Sequence, residues 1–401
     1  DGIRDVERSR ALGDVYKRQE KDNMEFNFMA TTTPGFEDIA TKEVKELLNV
    51  EVKPEVGKVF FKSNIEAMYK TNLGARCLHK VFLVLGKGKI ENLEDLYLKT
   101  RKIDYEWVIS PNQSFAVRAK RHGTHSFTSL EVASKVGQAI IDSYLSSTGK
   151  RLKVNLDIPD VEFFVFVKDE DFILALNTTG ESLHKRGYRI YQHPASLKST
   201  LACCLLRYSE WNLSEPLLDP MCGSGTIPIE AMLMVKKKPL DSFGREFALR
   251  KLKFFDENLY EKTRKCFFPS VQKTPKVCGV EISPKHLEGA KTNAFSAGVL
   301  DDVNFILGDA TKLLGFIDFE PKNIVVNLPY GIRSSRRKIL EKLYSDFLKS
   351  VKEVACQTML VAVTNATEEF KKALNKIDFR FIEERTVMHG NLPVGVFKCK
   401  V

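Results

Sequence analysis

The run Asn327-Leu328-Pro329-Tyr330-Gly331 holds residue types suited to working on an amine attached to an aromatic ring. Such an amine is a poor nucleophile, because its lone pair is delocalised into the ring. The Asn327 side-chain oxygen and the Leu328 carbonyl can accept its two N–H bonds, drawing the lone pair out of the ring plane and stabilising the developing charge. Pro329 fixes the turn. Tyr330 offers a face on which an extruded base can stack. Asn, Pro and Gly are also ordinary turn residues, so the run gains meaning only from its neighbours.

Three further signals stand at strand ends. Leu217-Leu218-Asp219-Pro220-Met221-Cys222-Gly223-Ser224-Gly225-Thr226 reads as a strand entering a glycine turn and then a helix. Gly223 and Gly225 let the backbone turn tightly and let a ligand approach it, at the carboxyl end of a strand where open α/β sheets bind ligands. No Lys follows Gly225, so this is not a phosphate loop. Pro228 stands where a dinucleotide fingerprint carries its third glycine. Glu281 closes the strand KVCGVEI, and an ionised carboxylate, being acceptor-only, can take both ribose hydroxyls of a nucleoside. It lies far beyond the ~20 positions that separate the two features in a compact unit. FGREFALRKLKFFDENLYEK is therefore expected to be an insertion on the edge of the sheet. Asp309, in GDA after VNFIL, can bond an adenine amino group. Three acids and a glycine loop at successive strand ends describe a pocket for a nucleoside-bearing ligand.

These residues need a scaffold that brings strand ends together. From Ser196 onward, long helical stretches alternate with the short apolar strands PLLDP, KVCGVEI, VNFILGDA, NIVVNLPYG and TMLVAVT. That alternation predicts a doubly wound, mostly parallel α/β sheet over 196–401. Ahead of it, EFNFMATT, VEVKPEVGKVFFK and HKVFLVLGKGKI read as strands around the helical FEDIATKEVKELL and IEAMYKTNLGARCL, an α+β unit over 24–105. A second unit over 106–180 has the strand SFAVRAKRHG, a helix from Ser126 to Leu145, and strands split by Pro159 and a turn at Glu170. Residues 181–195, dense in Gly, His and Arg, read as a linker. Residues 1–23 carry six acids and six bases with almost no apolar periodicity. They read as a non-native leader before Met24 and are set aside from the fold.

Composition narrows the class. The chain has 401 residues, 43% hydrophobic and 28% charged, which suits a multidomain globular protein and rules out wholesale disorder. No apolar run approaches the ~18 residues of a spanning helix, and no secretory signal opens the chain, so a cytoplasmic protein is expected. None of the eight cysteines forms a Cys-x-x-Cys pair, and no metal site is signalled. The net charge of +10 leans toward a polyanionic partner.

Taken in order, DPMCGSGT, VEIS, GDAT and NLPYG resemble motifs I to IV of the class I S-adenosylmethionine-dependent methyltransferases. LHKRGYRIYQHPASLKSTLA and PGFEDIATKEV narrow the resemblance to the THUMP-domain guanosine N2-methyltransferases, over nearly all of 24–401. Within that family, NLPYG rather than DPPYG is similar to the archaeal-type tRNA (guanine-6-N2) enzymes. The resemblance implies a Rossmann-like catalytic domain with a seven-stranded sheet, preceded by ferredoxin-like and THUMP domains. Its cofactor is S-adenosylmethionine, its partner the acceptor stem and 3′ end of tRNA, and it acts as a monomer without metal. Carried onto this chain, Thr200, Asp219, Met221, Gly223, Gly225, Thr226, Glu281, Ile282, Asp309, Ala310 and Asn327 would hold the cofactor. Asn327, Leu328, Pro329 and Tyr330 would handle the guanine. Arg118, Lys120, Arg121, Lys185, Arg186, Arg333, Arg336 and Arg337 would grip RNA. Competing readings are an rRNA, tRNA position-10 or DNA-amine methyltransferase, and an RNA-binding scaffold with an inactive catalytic domain.

Overall fold

Alternating apolar and polar residues set the first strands, and the computed structural model describes residues 24–267, 274–330 and 337–401. The leader 1–23, Arg333, Arg336 and the side chain of Arg337 lie outside the described residues. Strands β1 (Phe26–Thr32), β2 (Val52–Glu55), β3 (Lys58–Ser63) and β4 (Leu78–Lys89) alternate with helices α1 (Glu37–Leu48) and α2 (Glu66–Gly74). After α3 (Leu93–Arg101) come β5 (Ser114–His122), α4 (Ser129–Thr148), β6 (Lys153–Val154), β7 (Val161–Lys168) and β8 (Asp171–Asn177). These strands form one sheet in the order β2-β3-β1-β4-β8-β7-β5-β6. The long β4 is the join, pairing antiparallel with β1 on one side and with β8 on the other. The two N-terminal units thus share a sheet and a helix-covered core that includes Phe28, Tyr105, Phe115 and Phe163.

Helix α4 shows how local chemistry fixes a boundary. The Glu131 amide donates to Thr128 Oγ1 and the Thr128 amide to Glu131 Oε2, a reciprocal cap of the kind worth ~1 kcal/mol. Val132, Val136, Ile140 and Tyr144, four apart, face the core, and Gly149 in the left-handed region stops the helix.

The C-terminal half contains β9 (Leu217–Asp219), β10 (Val277–Glu281), β11 (Val303–Leu307), β12 (Asn323–Asn327) and β13 (Met359–Thr364), all parallel. Helices α5 (Ser199–Tyr208), α6 (Thr226–Val235), α7 (Glu257–Lys265), α8 (Pro284–Ala297), α9 (Arg337–Val354) and α10 (Thr367–Ile377) alternate with them. An antiparallel hairpin, β14 (Arg380–His389) and β15 (Leu392–Lys400), completes the order β11-β10-β9-β12-β13-β15-β14. The five parallel strands are those the sequence predicts. The hairpin was not among them. β14 is an edge strand, half exposed and dense in charge, with Val387 alone fully buried, and its ladder comes from pairing with β15.

Two expectations are corrected. Residues 243–262, expected as an insertion on the edge of the catalytic sheet, do not sit there. Leu240, Phe247, Leu249, Leu252, Phe254 and Tyr260 bury themselves in the N-terminal core, and the amides of Leu240, Leu249 and Lys253 donate to Leu73, Thr178 and Val108. The linker is no loose connection either. Arg186, 2% exposed, forms an ion pair at 3.0 Å with Glu230 of α6 and donates to the Leu183 and Arg76 carbonyls. Tyr188 Oη and Cys203 Sγ also donate to Glu230, and Arg76 donates to the Leu233 carbonyl. Arg186 therefore pins the halves together and is not free to grip RNA. Hydrophobic periodicity cannot reveal a buried ion network.

Candidate active site

Parallel strands point their carboxyl ends the same way, so the four signals converge. Asp219, Glu281 and Asn327 are the last residues of β9, β10 and β12, and Asp309 stands two residues beyond β11. They line a cavity of about 490 Å³, together with Met221, Gly223, Thr226, Ile282, Ala310, Leu328, Pro329 and Tyr330.

The acids are fixed by the backbone. Glu281 Oε2 accepts from the Gly223 amide at 3.0 Å and Oε1 from the Ser283 amide at 2.9 Å, leaving each oxygen a further lone pair. Asp309 Oδ1 accepts the amide and hydroxyl of Thr311, and the amide bond, the larger effect, holds its carboxyl below the usual range against burial. Burial pushes the Asp219 carboxyl well above that range, opposed by the Met221 amide it accepts and reinforced by Glu281. Among the described residues none of the three has an ion-pair partner. A buried site rich in unpaired acids favours a cationic occupant.

The amine-handling wall is equally defined. The Leu328 amide donates to the Val363 carbonyl at 3.0 Å, and Tyr344 Oη donates to the Pro329 carbonyl at 2.6 Å. These bonds hold the turn in place. Asn327 Oδ1 is buried with no hydrogen-bond partner among the described residues. An acceptor left in that state costs ~1–3 kcal/mol unless something donates to it. Tyr330 Oη lies 3.4 Å from His389 Nδ1 on the terminal hairpin.

Two residues expected at the cofactor lie elsewhere. Thr200 is fully buried, its hydroxyl 3.2 Å from His79 Nδ1 on β4, and it does not line the cavity. Gly225 does not line it either. Its φ is +78°, and a Cβ there would lie 3.1 Å from Ala290 Cβ, so glycine is needed for the turn and for packing against α8. The cavity is also lined by His193 and Ala195, at the end of the segment read as linker, and by Ser196 and Leu197 just after it, with Ser196 Oγ 3.2 Å from Ser224 Oγ. Leu343 of α9 lines it too. A short irregular segment has no periodicity to mark it, which is why it escaped.

In the N-terminal sheet, Arg118 Nε lies 3.3 Å from Glu162, Lys120 is exposed, and Arg121 bonds His125. Lys185 is exposed and pairs with Glu181 at 2.8 Å.

S-adenosylmethionine fits this cavity. Glu281 would hold the ribose hydroxyls and Asp309 the adenine amine, with Ile282 and Ala310 beside the ring. The sulfonium and ammonium charges would meet the acid-rich end at Asp219. A strand-end pocket of this kind on a doubly wound sheet is the place where a nucleoside-bearing cofactor binds. Comparison agrees: residues 186–394 match the RMKL-like methyltransferase domain, 91–177 the THUMP domain and 27–82 the RlmL ferredoxin-like domain. The chain is 38% identical over 378 residues to the tRNA (guanine(6)-N2)-methyltransferase of Methanocaldococcus jannaschii, spanning 92% of this chain and 99% of that protein. It is 39% identical to the protein of the same name from Archaeoglobus fulgidus, over 93% of this chain and 91% of the other. Among solved structures, SMU.472, a methyltransferase complexed with SAH, superposes with a TM-score of 0.81 at 25% identity, over 93% of this chain and 97% of that one. The chain belongs to the THUMP-containing, RMKL-like methyltransferase family.

Proposed function

We propose that this enzyme transfers a methyl group from S-adenosylmethionine to the exocyclic N2 of a guanosine in tRNA, at position 6 of the acceptor stem. The observation that carries the reading is the buried Asn327 Oδ1, without a hydrogen-bond partner among the described residues, in the wall of the acid-lined cavity. It is an acceptor waiting for an N–H. The two archaeal relatives named as tRNA (guanine(6)-N2)-methyltransferases support tRNA and the position.

The cofactor, when bound, supplies a methyl already activated by its sulfonium. The protein's part is positioning, worth roughly 7–11 kcal/mol in favourable cases. Asn327 Oδ1 and the Leu328 carbonyl accept the two N–H bonds of the guanine amine and turn its lone pair toward the methyl; as N2–C forms and S–C breaks, S-adenosylhomocysteine would be left and one N2 proton would pass to solvent. The Pro329 turn, held by Tyr344, sets the distance. Tyr330 stacks against the extruded base, and His389 steadies its hydroxyl. The strap from His193 to Leu197 shields the reacting atoms from water. Nothing in this scheme requires metal or a covalent nucleophile. The Cys222 thiol, pushed well up by burial, stays protonated beside the glycine turn.

Radiolabelled methyl transfer to unmodified tRNA and rRNA transcripts, with nucleoside mapping, tests the reading. Label as N2-methylguanosine at position 6 is the expected result; label only in rRNA would refute the substrate, and label at another tRNA guanosine the position. Asp309→Ala is expected to weaken cofactor affinity about tenfold, for the ~1.5 kcal/mol of a hydrogen bond to a charged group. Isothermal titration measures it, and unchanged affinity would sink the adenine assignment.

A further inference from the structure

The opening motif Pro34-Gly35-Phe36-Glu37-Asp38 does not line the cofactor cavity, yet it meets the catalytic half. Glu37 braces the turn, its carboxylate accepting the amides of Gly35 at 3.0 Å and Gly57 at 2.7 Å. The braced turn lies against β14. The Met388 amide donates to the Pro34 carbonyl at 3.2 Å. Gly35 has a φ of +96°, and a Cβ there would lie 2.5 Å from the Thr386 carbonyl oxygen and 2.9 Å from Val387 Cγ1, so only glycine lets the two backbones approach this closely. Arg385 Nη1 lies 2.8 Å from both carboxylate oxygens of Asp38, with its guanidinium carbon 4.4 Å from the Tyr208 ring centroid. Arg385, Thr386, Val387 and Met388 in turn each meet the motif.

The next residue of the strand reaches the active site. His389 Nδ1 lies 3.4 Å from Tyr330 Oη, with the two rings nearly perpendicular at 87°. Tyr330 also packs against the core cluster that holds both Phe36 and Val387. The His389 ring bonds the Ser196 backbone as well, and Ser196 and Tyr330 both line the cavity. Burial, and then the field of Lys198, hold the imidazole below its ordinary value against that bond, so a neutral ring faces the tyrosine. β14 ends its sheet and has a ladder partner on one side only. The Pro34 turn takes the open side at Met388, where an edge strand would otherwise be unsupported.

We propose that the Pro34–Asp38 turn of the ferredoxin-like unit is a positioning element of the catalytic site, fixing the hairpin so that His389 holds Tyr330 where the extruded base stacks. This rests on the methylation reading above and adds a part in the chemistry for a unit far away in sequence. Neither Asp38 nor Arg385 lines the cavity. Their effect on the reaction passes through His389 and Tyr330. A misplacement of about 1 Å handed down that chain is enough to cost up to ~10²-fold in rate.

The test is single-turnover methyl transfer by the full chain to tRNA, with both substrates saturating. Asp38→Ala and His389→Ala should each lower the rate about tenfold, with KM for tRNA and cofactor affinity as in the wild type. Removing an acid from a protein that binds a polyanion would by charge alone tighten binding, so the loss cannot be read as weakened attraction. Asp38→Ala should cost nothing further in a His389→Ala background, because the turn then has no side chain to place. Asp38→Glu, which keeps the ion pair, should retain most of the rate. Glu257→Ala, which breaks the similarly exposed pair with Arg250, is the control and should leave the rate unchanged. Additive losses in the double variant would overturn the proposal, as would a control loss equal to that of Asp38→Ala. A raised KM with kcat unchanged would overturn it too, by making the turn an RNA contact. Nitrogen NMR of histidine-labelled protein gives a readout without turnover: the His389 ring signals should move in Asp38→Ala as they do in Tyr330→Phe, and unmoved signals would count against the link. Moved signals in an enzyme that transfers no methyl to tRNA would sink the N2-methylation reading and leave the positioning link standing.

Discussion

Asn327→Ala is expected to lower kcat by about 10²–10³-fold, or ~2.7–4 kcal/mol of transition-state stabilisation, while cofactor affinity stays at the wild-type value. The size follows from what the side chain does. Its oxygen meets an N–H whose acidity rises as the amine attacks, so the bond strengthens on the way to the transition state, and such bonds raise kcat rather than merely binding substrate. A second readout separates this role from a structural one. Among the described residues Asn327 Oδ1 is buried with no hydrogen-bond partner, so removing it relieves a cost rather than breaking a hydrogen bond. The variant should therefore melt no lower than the wild type. Loss of cofactor binding in step with loss of turnover would refute the assignment.

The second large effect lies far from the chemistry. Glu230→Ala should destabilise the fold by about 3–5 kcal/mol, the usual consequence of removing one partner from a buried ion pair. Glu230 is fully buried, with Arg186 at 3.0 Å and Arg76 at 3.7 Å, and both cations would remain buried without their carboxylate. An exposed pair such as Arg250 and Glu257 should cost no more than ~1 kcal/mol when broken. Differential scanning calorimetry on both variants checks the contrast, and equal melting temperatures would contradict it. The sign of the pH dependence follows from the same network. Burial alone would raise the Glu230 carboxyl, but Arg186 and Arg76 hold it below the ordinary value. Its contribution is therefore fully present above about pH 4.3, the unfolded value, and is lost as pH falls through the lower folded value.

Much of the site was legible in the residues. Asp219, Glu281, Asp309 and Asn327 stand at or just past the ends of parallel strands, and parallel strands send their carboxyl ends to one edge. Once NIVV and its neighbours read as buried strands, the convergence followed. Alternation, apolar spacing and glycine turns are local signals, and local signals survive in a bare sequence. They also carried the helix expected over Ser126–Leu145, which the structure places at Ser129–Thr148, and the order of units along the chain.

What the sequence did not carry depended on partners far along it. Thr200 looked like a cofactor residue and instead meets His79, 121 positions away. Arg186 looked like an RNA contact, yet Glu230 holds it in the interior. The insertion over 243–262 looked like decoration on one sheet and packs against the core of the other. His389 reaches Tyr330 only because an edge strand without hydrophobic signature folds back beside the parallel sheet. The sequence by itself determined the types of element, the identity of the strand-end acids and the family's chemistry, because these rest on periodicity and short motifs. Tertiary structure alone decided which polar groups are buried together and which further segments line the cavity, because the free energy of burying a charge is set by neighbours that only the folded chain supplies.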